Sequence, residues 1–174
     1  MFTEQDFKAT IREIPDFPKP GILFYDITTL LKDPEAYNEL ISAMAASLEG
    51  MDVDVVVGPE ARGFVVGAPV AYAVKAGFVL ARKPHKLPAE VKSISYGLEY
   101  GSDTLEIHAD AIKPGMRVAI VDDLLATGGT ALACAKLAEK AGGTVVGCTF
   151  AIELCDLPGR DTLNGYPVHT ILQY

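Results

Sequence analysis

The sequence predicts an α/β fold: a doubly wound, mainly parallel sheet flanked by helices. Three observations predict it. Short apolar runs of strand length recur along the 174 residues and alternate with stretches at helical spacing. Those runs are apolar throughout rather than every second residue, as in strands covered on both faces. Small residues crowd the turns where a strand gives way to a helix, which is where such folds bind ligands. With 49% hydrophobic and 22% charged residues, the composition fits one globular domain over residues 1–174.

Residues 2–14 read as an amphipathic helix, with Phe7, Ile11 and Ile14 at helical spacing and Pro15 ending it. Pro15, Pro18, Pro20 and Gly21 then forbid a regular helix and impose an extended path that carries Phe17, Phe24 and Tyr25. Residues 1–33 thus form an N-terminal helix and a hood able to cover a flat ring. An extended backbone offers C=O and N–H in turn, and can pair with a ring that carries a hydrogen-bond donor beside an acceptor, without any charged side chain.

Residues 34–48 form a second helix, capped by Asp33 with Pro34 at its first position. Residues 53–57 are a buried strand. Gly58-Pro-Glu-Ala-Arg-Gly-Phe64 turns it into an apolar helix over 65–76, with Arg62 placed to meet an anion. After a short strand at 77–81, Arg82, Lys83 and Lys86 concentrate charge in one loop, with His85 among them. Residues 89–100 lack helical periodicity and read as a hairpin-like flap, followed by an edge strand at 104–108. The basic loop and flap together span 82–108.

The most informative stretch is Val118-Ala-Ile-Val-Asp-Asp-Leu-Leu-Ala-Thr-Gly-Gly-Thr130. An apolar strand turns acidic at Asp122 and Asp123. It then enters Ala126, Thr127, Gly128, Gly129 and Thr130, just before a helix over 131–141. Unpaired N–H groups at a helix start, with the helix dipole behind them, make a cradle for phosphate. Thr127 and Thr130 add hydroxyls, and a branched side chain at Gly129, as in Gly129→Val, is expected to fill the anion site. The Gly-Lys-Ser/Thr ending of a nucleotide P-loop is missing, and the dinucleotide fingerprint has no acidic pair. Adjacent carboxylates beside a phosphate suit a ribose, whose 2′- and 3′-hydroxyls they accept. Gly142-Gly143 closes the helix. A strand at 144–152, a short helix at 158–163 and a strand at 168–172 complete the sheet.

This stretch resembles the 5-phosphoribosyl-1-pyrophosphate (PRPP) motif of the type I phosphoribosyltransferase family, and its wording is most similar to the adenine-specific branch. The resemblance implies transfer of phosphoribose from PRPP to adenine, giving AMP and pyrophosphate, with Mg²⁺ carried mainly on PRPP. It implies 5′-phosphate contacts at Ala126–Thr130 and pyrophosphate contacts at Arg62, Arg82, Lys83 and Lys86. The implied adenine contacts are the backbone of Leu23 and Tyr25 and the ring of Phe24. Many relatives carry Arg where this chain has Tyr25, so a side-chain role there does not carry over. Leu98-Glu-Tyr-Gly101 matches the family's flap. Glu99 then lies near the base, as an acid or base or as a flap lock, and Tyr100 shields the site. Asp122, Asp123, Arg62 and Glu99 are the implied catalytic set. The family also implies a homodimer.

A net charge of −8 argues against a broad nucleic-acid surface. The polar, acidic first residues do not read as a signal peptide, and no apolar run reaches transmembrane length. Three cysteines without metal-site spacing read as thiols of a reducing, cytoplasmic setting. A 6-oxopurine or pyrimidine transferase shares the cradle but needs a different base pocket. A non-catalytic PRPP sensor needs a nucleic-acid surface, which the acidic composition disfavours.

Overall fold

The computed structural model describes residues 2–97 and 102–174. Five strands form the central parallel sheet, in the order β4-β3-β7-β8-β9. They are β3 (Val55–Pro59), β4 (Gly77–Ala81), β7 (Arg117–Leu125), β8 (Thr144–Glu153) and β9 (Val168–Gln173). In β3 and β7 the apolar runs are buried along nearly their whole length, as strands covered on both faces should be. Alternate residues of β3 feed two separate cores. Val55 and Val57 pack with α5 (Gly129–Lys140), whereas Val56 packs with α3 (Pro34–Ala46) and α4 (Arg62–Ala73). Helices therefore cover both faces, and the sheet is doubly wound.

Local chemistry sets the helix ends. Asp33 accepts from the N–H groups of Glu35 and Ala36, capping α3 with Pro34 in its first turn. Pro69 lies inside α4 and has no N–H for the carbonyl of Val65. The Tyr37 hydroxyl of α3 donates to that carbonyl instead, at 2.6 Å, and ties the two helices together.

The N-terminal segment departs from the sequence reading. Helix α1 (Glu4–Thr10) stops four residues earlier than expected, closed at its start by a reciprocal Thr3/Asp6 capping box. Arg12–Pro15 is instead strand β1, paired antiparallel with β2 (Leu23–Asp26). Ile14 matched the helical period but stands opposite Phe24 in this ribbon, because long-range pairing outweighs a short helical repeat. The one-turn helix α2 (Thr28–Leu31) links the ribbon to α3, and α6 (Gly159–Thr162) precedes β9. The basic loop leads into a second antiparallel ribbon, β5 (Val91–Gly97) with β6 (Ser102–His108). β6 is the partner of β5 and lies outside the main sheet.

Candidate active site

Strand β7 delivers the site. Its residues Val118 to Val121 are fully buried, which anchors the strand before it reaches the acidic pair. Beyond them, a cavity of 340 Å³ opens at the carboxyl ends of β3 and β7. Asp122, Asp123, Ala126, Thr127, Gly128, Gly129 and Thr130 line it, together with Glu60 and Arg62 from the β3–α4 turn. The two strand-turn-helix units singled out in the sequence thus face one space.

The cradle is built by the start of α5. Leu132 is the first residue to close a helical hydrogen bond, to the Gly128 carbonyl at 2.9 Å. The N–H groups of Gly129, Thr130 and Ala131 precede it and have no partner within the helix. No side chain caps this end. Gly128 sits at φ +84°, and a β-carbon there would lie 2.8 Å from the Gly159 carbonyl of α6. A β-carbon on Gly129 would only touch the Tyr96 ring at 3.5 Å, an ordinary contact. Against protein atoms alone, Gly128 is thus the tighter of the two positions, and the space beside Gly129 stays free on the cavity side.

The acids differ in their surroundings. Asp123 is buried and accepts from Arg62 Nε at 2.5 Å. Asp122 packs so closely on α4 that a β-carbon on Gly63 would come within 2.9 Å of its Oδ1. Its carboxyl is held well above the ordinary carboxylate range, by burial first and by the neighbouring Asp123 charge second. The pair resists carrying two full charges, so it has a strong demand for hydroxyl donors or cations.

Arg82, Lys83 and Lys86 do not line this cavity. They gather beside it, each matched to a carboxylate. Glu60 accepts from Lys86 Nζ at 2.7 Å and from the Lys83 N–H at 2.5 Å, and lies 3.6 Å from Arg82 Nε. Burial alone would raise the Glu60 carboxyl, but these donors outweigh it and hold it below the ordinary range. Lys83 pairs with Asp103 of β6. The Tyr96 hydroxyl of β5 lies 3.4 Å from Thr130 Oγ1 and 3.5 Å from Asp103 Oδ2. Sequence reasoning missed Glu60, Tyr96 and Asp103. Glu60 sits in the quoted Gly-Pro-Glu-Ala-Arg-Gly turn and was legible there; the other two become visible only through ribbon pairing.

Leu23, Phe24 and Tyr25 lie on β2, outside the cavity lining. Phe24 meets Phe17 edge to face with centroids 5.1 Å apart, and Tyr25 stacks on Tyr174 at 3.8 Å. Glu99 and Tyr100 lie outside the described residues.

A phosphoribosyl transferase domain model matches residues 26–158, a span that holds the cavity, the acidic pair and the basic loop. The chain belongs to the adenine phosphoribosyltransferase branch of that family. It is 60% identical to an adenine phosphoribosyltransferase of Solibacter usitatus, over 97% of this chain and 98% of the relative. The crystal structure of the enzyme from Thermoanaerobacter pseudethanolicus superposes with a TM-score of 0.96 at 55% identity, covering 99% of this chain and all of the other. The Saccharomyces cerevisiae enzyme, solved with adenine and an imino-altritol bisphosphate, superposes with a TM-score of 0.92 at 41% identity, over 97% of each chain.

Proposed function

We propose that this chain is a pentosyltransferase of purine salvage that joins adenine to the phosphoribosyl group of PRPP, giving AMP and pyrophosphate. The observation that carries the reading is the cavity itself, where an adjacent carboxylate pair meets an uncapped helix start. In this reading the backbone of residues 126–130, with the Thr127 and Thr130 hydroxyls, receives the 5′-phosphate. Asp122 and Asp123 accept from the ribose hydroxyls. They stabilise the positive charge that builds on the ring as the bond from C1 to the departing oxygen lengthens. Arg62, Arg82, Lys83 and Lys86 take the pyrophosphate, and Glu60 sets the spacing of the last three.

β2 is paired only with β1 among the described residues, so its second edge is open to present alternating N–H and C=O groups. That edge suits the 6-amino and N1 positions of adenine, with the backbone of Leu23 and Tyr25 making the contacts and the Phe24 ring against the base. Glu99 acts at the base or locks the flap, and Tyr100 screens the site from water.

The residues fit Mg²⁺ carried on the diphosphate. Among the described residues no group of three or more metal-ligating side chains is preassembled, and the Glu60 and Asp123 carboxylates are already engaged by cations. Bound with the diphosphate, the ion would neutralise the leaving group, and Asp122 and Asp123, which line the same cavity, would offer it carboxylate oxygens.

The working enzyme is read as a cytoplasmic homodimer of single-domain chains, with no nucleic-acid or membrane partner. No helix of the described residues is long and apolar enough to cross a membrane.

Turnover with PRPP and alternative bases tests the reading. Adenine should be converted and hypoxanthine rejected by about 10⁴-fold, because a 6-oxo group leaves two buried backbone groups mismatched. Comparable hypoxanthine turnover would make it a 6-oxopurine enzyme. PRPP binding without turnover of any base would make it a sensor.

A further inference from the structure

The cradle turn is held from behind by an element that none of the assigned roles uses. Helix α6 is a single turn packed against Thr127 and Gly128. Its Thr162 hydroxyl donates to the Thr127 carbonyl at 2.7 Å, a shorter contact than its alternative acceptor, the Pro158 carbonyl, at 3.0 Å. Gly159 packs backbone to backbone against Gly128. Arg160 fixes α6 to the sheet through Glu153 at the end of β8, with Nε at 2.9 Å from Oε1 and a second nitrogen at 2.5 Å from Oε2. Thr170 and Gln173 of β9 also donate to Glu153 Oε2, at 2.9 and 3.0 Å. A rigid path thus runs from two sheet strands to one carbonyl of the phosphate turn.

The Thr127–Gly128 peptide is not among the cis bonds of the described residues. In a trans peptide the C=O and N–H point in opposite directions. A carbonyl held by Thr162 therefore turns the Gly128 N–H away from α6. Rotation of that peptide would place a carbonyl oxygen where the anion needs a donor.

We propose that Thr162 is a positioning residue for the 5′-phosphate, acting through the Thr127–Gly128 peptide rather than by contact with substrate. This rests on the assignment of the cradle to the 5′-phosphate.

The experiment compares Thr162→Val, which keeps the shape and loses the donor, with Thr162→Ser, which keeps the donor. AMP affinity is read by calorimetry, and the adenine KM, PRPP KM and kcat by initial rates. Thr162→Val should weaken AMP and raise the PRPP KM by roughly tenfold, the scale of one supported hydrogen bond. The adenine KM and kcat should stay within about twofold, and Thr162→Ser should match the parent on the same scale. An inactive fraction lowers the calorimetric stoichiometry and the maximal rate but not Kd or KM, so these constants read the effect even in a partly unfolded preparation. Unchanged AMP affinity in Thr162→Val, or a Ser variant as weak as Val, overturns the proposal and leaves the cradle assignment standing. A parent protein that does not bind AMP overturns both.

Discussion

Gly128 and Gly129 are adjacent, identical in type and both in the phosphate turn, yet alanine should affect them very differently. At Gly128 the backbone lies at φ +84°, where an L-residue costs about 1–2 kcal/mol. The new β-carbon would also meet the Gly159 carbonyl at 2.8 Å and the Thr162 β-carbon at 2.9 Å. Relieving such overpacking costs ~1–3 kcal/mol more, because α6 is tethered through Arg160 and has little freedom to retreat. Together these give about 2–5 kcal/mol, or roughly 4–20 °C in melting temperature for a chain of this size. At Gly129 the nearest atom to an added β-carbon is Tyr96 Cδ2 at 3.5 Å, and the residue is the first of α5. Alanine there relieves glycine's backbone entropy at no steric cost, so stability should hold or rise by up to ~1 kcal/mol. Thermal melts and AMP titrations of the two variants check this. Gly128→Ala should melt well below the parent and lose AMP affinity, while Gly129→Ala keeps its fold. If Gly128→Ala melts with the parent, or Gly129→Ala is the less stable of the two, the account of the turn is wrong.

Four further outcomes are expected. Asp122→Asn and Asp123→Asn should each cut turnover far more than they weaken adenine binding; near-normal rates in both would remove the acids from catalysis. Glu60→Gln should raise the PRPP KM and leave the adenine KM in place, since it releases Lys86 and loosens Arg82 and the Lys83 backbone; steady-state kinetics with each substrate varied decides. Glu153 is held down to about 2, from an ordinary 4.5, chiefly by the Arg160 hydrogen bonds. A depressed carboxylate stabilises the fold above its unfolded pKa and loses that contribution as the pH falls through the folded one. Between pH 4.5 and about 2 the parent should therefore lose stability more steeply than Glu153→Gln in acid titrations of the melting temperature; parallel curves would refute the assignment. Glu99→Gln should lower kcat by ~10²–10⁴-fold with PRPP binding intact if the carboxylate exchanges a proton at the base; a near-parent rate for Gln beside a slow Glu99→Leu would mean flap locking.

Much of this was legible in the chain because the signals were local. The apolar run ending in Asp122 and Asp123, the small-residue turn and the helix after it are contiguous, so pattern alone joined phosphate chemistry to carboxylate chemistry. Asp33 and Pro34 announced the start of α3 in the same way. What escaped depends on partners distant in sequence. Arg12–Pro15 is a strand only because Leu23–Asp26 folds back on it. Tyr96 and Asp103 reach the cradle and the basic loop only through the β5–β6 ribbon. The cations of residues 82–86 read as free charges in a one-dimensional text, whereas in the fold each stands against an acid. Glu153 and Arg160 sit seven residues apart between ordinary neighbours, and nothing local marks them as a brace.

The pairing of those cations has a consequence for what can enter. Arg62 is bound to Asp123, Lys86 to Glu60 and Lys83 to Asp103. If these cations take the diphosphate as proposed, each must leave or share a carboxylate already seated beside it. Arg62 and Lys86 are about half exposed, at 51% and 46%, so each such exchange is individually cheap. The acids left behind then become acceptors for hydroxyls or for an ion travelling with the diphosphate. In a chain of net charge −8 the basic groups are thus held in place by their own acids until a polyanion replaces them.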